Sequence, residues 1–130
     1  MMVLDATAMI EALVGADPSA ELLDALEGDI HAPHLLDVEV SSVLRGLELG
    51  RVLTQARAEE ALEDYWSFGI ERHDLEPLRR RVWTLRHQFT SYDASYLALA
   101  EALGAPLVTA DKKLATPGHD ATVILMPRTS

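Results

Sequence analysis

The chain has 130 residues, 48% hydrophobic and 25% charged, and residues 1–130 read as one domain long enough for a real core. It has no run of about 18 apolar residues for a membrane span, no basic region followed by roughly 7–15 apolar residues as in a signal peptide, and no cysteine for a disulfide or thiolate, so a cytoplasmic location fits. Its formal net charge of −10 has the wrong sign for holding nucleic acid on a broad basic surface; such a substrate would need a local divalent cation and a few arginines.

Met1-Met2-Val3-Leu4 is a short apolar run that ends in Asp5-Ala6-Thr7, which predicts a buried strand with a carboxylate at its end. Ala6 to Val14 predicts a helix stopped by Gly15, and Asp17-Pro18-Ser19 turns into a second helix from about Ser19 to Leu26. Gly28-Asp29 breaks the chain before a very short strand, Ile30 to Pro33, because Pro33 cannot donate to a ladder. Leu35 to Leu49 predicts a helix with Leu36, Val40, Val43, Leu44 and Leu47 as its apolar stripe, ended by Gly50. Thr54 is the N-cap expected for a helix running to Trp66. Phe68 to Glu71 is the third strand, and Asp74 to His87 the next helix, carrying Arg79, Arg80, Arg81 and Arg86. Thr90-Ser91-Tyr92-Asp93 starts a helix that continues to Leu103 and stops at Gly104-Ala105-Pro106. Leu107-Val108-Thr109 is a strand leading to Asp111, Thr116-Pro117-Gly118 a loop, and Val123 to Met126 the last strand. Strands alternating with helices predict an α/β fold, a mainly parallel sheet with helices on both faces.

In a parallel sheet, acids just beyond the strand ends collect along one edge. Asp5 and Asp111 meet that condition directly, and Glu39 follows because its helix begins at the same edge. Asp93 sits at a helix N-terminus, and whether it faces that edge depends on the strand order. Two carboxylates about 5 Å apart repel by about 3 kcal/mol at an effective dielectric near 20. Such a cluster takes up protons or binds a cation. Oxygen-only ligands favour Mg²⁺ or Mn²⁺ over zinc, and Mg²⁺ keeps waters that can serve as nucleophiles.

Each acid also has a purely local reading. Asp5 can cap the helix after its strand, Asp93 can answer Thr90 in a capping box, Asp111 can cap the turn at Lys112 to Ala115, and Glu39 can be a solvated helix acid. Asp37 points to a different helix face from Glu39 and is left out. Arg79-Arg80-Arg81 reads as a solvated face, whereas Arg86, nearer Asp93, is the candidate for a phosphate contact. His31 and His34 lack the H-E-x-x-H pattern and flank a strand end; His73, His87 and His119 show no usable pairing. Trp66, Trp83 and Phe89 fit core packing. No G-x-S-x-G or P-loop pattern occurs.

Val3-Leu4-Asp5-Ala6-Thr7, Glu39 after the second strand, Tyr92-Asp93-Ala94, and Leu107-Val108-Thr109-Ala110-Asp111-Lys112-Lys113-Leu114 together resemble the PIN-domain ribonucleases. The short form is similar to the toxin of a type II toxin–antitoxin pair (VapC-like). The resemblance implies a metal-dependent endoribonuclease with Asp5, Glu39, Asp93 and Asp111 as catalytic acids and ligands of Mg²⁺ or Mn²⁺. It implies supporting hydroxyls at Thr7 and Thr109, and RNA products with 5′-phosphate and 3′-hydroxyl ends. It further implies a homodimer, inhibited by an antitoxin protein whose C-terminal segment wraps the toxin near its active site. The alternatives are a haloacid-dehalogenase-like phosphotransfer enzyme with Asp5 as nucleophile, and a non-catalytic interaction domain. The first of these usually has an acid where this chain has Thr7.

Overall fold

Short apolar runs become strands here because the middle of a parallel sheet is covered on both faces and needs no polar alternation. The computed structural model describes residues 1–130 and contains five strands: β1 (Met2–Leu4), β2 (Ile30–Pro33), β3 (Ile70–His73), β4 (Leu107–Thr109) and β5 (Val123–Leu125). They pair only in parallel, in the order β3-β2-β1-β4-β5. Val3, Leu4, Leu107 and Val108 of the central strands are buried, while the edge strands β3 and β5 keep residues in solvent.

The crossovers are α1 (Ala6–Val14), α2 (Ala20–Ala25), α3 (Leu35–Leu49), α4 (Gln55–Ser67), α5 (Arg79–Thr84) and α6 (Ser91–Leu103). Helices α1, α3 and α4 pack on one another, and α5 packs on α6. The chain steps from β1 to β3 toward one edge, then returns past β1 to build β4 and β5 toward the other. With right-handed crossovers, these opposite steps put the two helix layers on opposite faces. No helix is long and apolar enough to cross a membrane.

Local chemistry sets the helix ends. Asp5, Ser19, Thr54 and Thr90 cap α1, α2, α4 and α6, each accepting from the backbone N–H three residues on. Gly104, at φ +61°, closes α6 in the left-handed conformation that favours glycine.

Several elements depart from expectation. The third strand begins at Ile70 rather than Phe68, because Phe68 N–H is spent closing α4 onto the Tyr65 carbonyl and pairing with β2 starts at Ile70 opposite Ile30. The helix expected over Asp74 to His87 is broken into a 3₁₀ turn at Glu76–Leu78, α5, and a second 3₁₀ turn at Leu85–His87. Pro77 has no N–H to give, and Leu78 closes a tighter turn onto the Leu75 carbonyl. Phe89 is in the core, but Trp66 and Trp83 are exposed. On α4 the buried positions are Ala58, Ala61 and Tyr65, which turns Trp66 a further 100° or so to solvent. The α3 stripe divides: Leu36, Val40 and Leu44 enter the core, while Val43 and Leu47 line a surface groove.

The strand order reverses between β1 and β4. The crevice beyond the carboxyl ends of the strands at such a reversal is where open α/β sheets bind ligands.

Candidate active site

Asp5 leaves β1 at this crevice, almost wholly buried at 3% exposure. Its Oδ1 accepts from the Ala8 N–H at 3.0 Å, the helix cap, and from the Thr7 hydroxyl at 2.8 Å. Its Oδ2 accepts from the Thr109 hydroxyl at the end of β4. Both threonines then turn to the loop after β4: Thr7 Oγ1 accepts from Ala110 N–H and Thr109 Oγ1 from Asp111 N–H, each at 2.9 Å. Each hydroxyl therefore donates to Asp5 and accepts from the β4 loop. This double latch sets Asp111 relative to Asp5. Thr7 lies where a phosphotransfer enzyme of the haloacid-dehalogenase kind has its second acid, and its hydroxyl is committed to the latch.

Asp111 in turn caps the 3₁₀ turn Lys112–Ala115, its Oδ1 accepting from Lys113 N–H at 3.0 Å. Helix α6 feeds β4 and so runs against the strands, which brings its N-terminus and Asp93 to the edge where the strands end. Glu39, on the second turn of α3, accepts at 2.6 Å from the hydroxyl of buried Tyr96.

The electrostatics link all four acids. Burial pushes Asp5 up to about 6 from an ordinary 3.8, with the Asp111 charge adding, against the hydrogen bonds from Thr109, Ala8 and Thr7. Burial also raises Asp93, with the Asp111 charge adding and Lys113 opposing. Glu39 is raised by burial and by the Asp93 charge, against the Tyr96 hydrogen bond. Like charge thus acts between Asp5 and Asp111, between Asp111 and Asp93, and between Asp93 and Glu39. Their only ion pair is a long one, Lys113 Nζ to Asp111 Oδ2 at 3.8 Å. Glu39 Oε2 takes no hydrogen bond, and every donor atom in the group is a hard oxygen. That donor set fits a hard divalent cation.

Other residues fall outside the crevice. Arg86 turns back on its own segment, with its guanidinium 4.6 Å from the Trp83 ring centroid and Nη1 donating to the Trp83 carbonyl. Arg81 pairs with Glu101 at 2.6 Å. Asp37 accepts from Arg72 Nε at 2.8 Å and from the Tyr65 hydroxyl, on the side of α3 away from Glu39.

Three further side chains, Tyr96, Lys113 and Arg128, stand beside the acids. Tyr96 was available as a signal, since it lies three residues after Asp93 on one helix face. Lys113 stood in the motif but carried no assigned role. Arg128 had no local signal: it donates from Nε to the Ala110 carbonyl at 3.1 Å. It borders both a 760 Å³ cleft lined by Asp111 and Lys112 and a 480 Å³ groove lined by Thr7, Glu39, Val43 and Leu47.

A family profile described as PIN domain matches residues 2–119. The chain is 42% identical over 128 residues to Ribonuclease VapC1 of Mycobacterium tuberculosis, covering 95% of this chain and 96% of that protein. It is 37% identical over 129 residues to a VapC ribonuclease of Mycobacterium bovis, covering 98% of this chain and all of the relative. A solved member of the VapBC family of toxin–antitoxin systems from Mycobacterium tuberculosis has the same fold, with a TM-score of 0.60 at 21% identity over 97% of both chains.

Proposed function

The chain belongs to the PIN domain family and is a ribonuclease of the VapC toxin type; from that premise we propose that it cuts RNA through a Mg²⁺ or Mn²⁺ site built from Asp5, Glu39, Asp93 and Asp111. The observation that carries this reading is the run of like-charge carboxylates at the β1–β4 reversal, three of them raised and none closely paired with a cation. When bound, a divalent cation supplies charge that an attacking water and the phosphodiester oxygens can share.

The chain's own groups do the rest. Asp5 accepts from three donors, more than any other of the four carboxylates. The Tyr96 hydroxyl holds Glu39 and favours its ionised form, so it is a positioning residue. Lys113 and Arg128 flank Asp111 and offer positive charge to a polyanion that a surface of net charge −10 would otherwise repel. The products are RNA ends with 5′-phosphate and 3′-hydroxyl. The partner is an antitoxin with a basic segment complementary to that charge, and the toxin is a homodimer acting in the cytoplasm. Residues 1–130 serve as one ribonuclease unit.

The purified chain is expected to cleave RNA with Mg²⁺ or Mn²⁺, to stop on chelation, and to fall silent as Asp5→Asn or Asp93→Asn. Full cleavage by both variants, folded by circular dichroism, would refute the assignment.

A further inference from the structure

The other half of the sheet carries a second set of ligand-type side chains. Parallel pairing puts His31 opposite Glu71 and Pro33 opposite His73, so His31, Glu71 and His73 lie on one face of β2 and β3. His31 is buried at 5% exposure, His73 is half-buried, and Glu71 is open to solvent. The two rings face each other with Nδ1 of His31 2.8 Å from Nε2 of His73, and the same Nδ1 is 3.5 Å from Glu71 Oε2. These three atoms all lie within 4.8 Å of one another.

The far nitrogen of His31 is also held. Its Nε2 sits 3.0 Å from Asp29 Oδ2, just before β2. A carboxylate only accepts, so in the neutral imidazole the proton is on Nε2 and Nδ1 presents a bare lone pair toward His73 and Glu71. A carboxylate fixing the far nitrogen is how metal-binding imidazoles are oriented; here the near nitrogen accepts from His73 Nε2–H, a proton that passes to the Nδ1 of that ring when a cation takes its place. With metal–ligand bonds of about 2.0–2.1 Å, tetrahedral donors stand about 3.4 Å apart. The His31–Glu71 separation already matches that spacing, and the imidazole pair has to open by only about half an ångström.

We infer that His31, Glu71 and His73, oriented by Asp29, bind a first-row divalent cation of the Zn²⁺ class and clamp the edge strand β3 to β2. Two imidazoles and one carboxylate select nitrogen-loving ions, in contrast to the all-oxygen quartet. Three protein ligands leave a fourth position on the solvent side, beside Glu71. No hydrogen bond joins this cluster to the four acids, so the site stands independently of the nuclease assignment. A cation held here binds the folded chain alone and stabilises it by linkage.

The test is calorimetric titration of Zn²⁺ into the chelator-treated full chain carrying Asp5→Asn and Asp111→Asn, which weakens binding at the quartet. One equivalent of Zn²⁺ per chain is expected, with a rise in Tm. Adding His73→Ala should abolish that equivalent, and Asp29→Asn should weaken it by about 10–100-fold. Failure of the parent to bind Zn²⁺, or unchanged affinity after His73→Ala, overturns the proposal. Should His73→Ala not fold, Glu71→Gln at the exposed position decides: weakened Zn²⁺ binding supports the site, and unchanged binding overturns it.

Discussion

Helix α3 carries two acids two residues apart that meet opposite fates. Asp37 faces Arg72 and Tyr65. Burial alone would raise it, but the hydrogen bonds from both partners, and the Arg72 charge, hold it below the ordinary carboxylate range. Glu39 faces Asp93 and Tyr96, and burial with a like charge leaves it raised. Both are partly covered and burial raises both, but only Asp37 has a cation for a neighbour, and that sign decides the direction. An acid closed by a cation completes a structural pair. An acid closed by other acids is held at a cost that a proton or a further cation removes, and that difference marks the candidate edge more clearly than exposure does.

Neutralising one acid on each side of α3 separates the two most widely. Asp5→Asn should lower kcat/KM for RNA about 10³-fold, the several kcal/mol that a metal-assisted step supplies. Asp37→Asn should leave the rate within about threefold, because it removes no charge from the crevice. Equal losses in the two variants would end the distinction.

Next in size is the pH dependence of metal-free stability, where the two regions have opposite signs. Asp5 has a folded pKa of about 6 against an ordinary 3.8, so the folded state binds the extra proton between those values. Its contribution is complete below 3.8 and is lost as pH rises through about 6, a swing of about 3 kcal/mol. Glu39 and Asp93 act in the same direction. Asp37 is depressed, so its contribution is present above the unfolded value and is lost as pH falls through the folded one. Urea unfolding of the chelated protein should therefore show a stability loss between pH 4 and 6, of which Asp5→Asn removes the largest share. Persistence of the full loss in that variant would refute the assignment to Asp5.

The candidate edge could be read from the sequence because its acids follow short apolar runs or open helices, and a parallel sheet sends all such points to one side. Topology, more than any local motif, is what sends Asp5, Glu39, Asp93 and Asp111 toward that side. The same reasoning fails wherever the answer depends on which strands are neighbours. His31 and His73 are 42 residues apart and meet only because β2 pairs with β3 in this register. Arg128 reaches Ala110 because β5 lies beside β4, whereas Arg86, closer to Asp93 in the chain, is drawn onto Trp83. The exposed tryptophans show the complementary limit. An apolar side chain one step off the buried face of a helix goes to solvent whatever its hydrophobicity.

Smaller effects separate the tyrosines that serve the two acids. Asp37→Asn should destabilise the fold by about 2 kcal/mol, since Arg72 and the Tyr65 hydroxyl lose a charged acceptor. Tm and urea midpoints report it, and no change would mean that the pair is idle. Tyr96→Phe removes the one hydrogen bond that favours ionised Glu39 and leaves the ring in the core. Glu39 should then hold its proton to higher pH, so the acid limb of the kcat/KM profile moves upward. The deficit should approach about fivefold at the foot of the acid limb, roughly 1 kcal/mol, and should fade as pH rises and Glu39 ionises without help. A deficit of the same size at every pH would instead mean that Tyr96 shapes the crevice by packing alone, and that Glu39 needs no hydroxyl to be held ready.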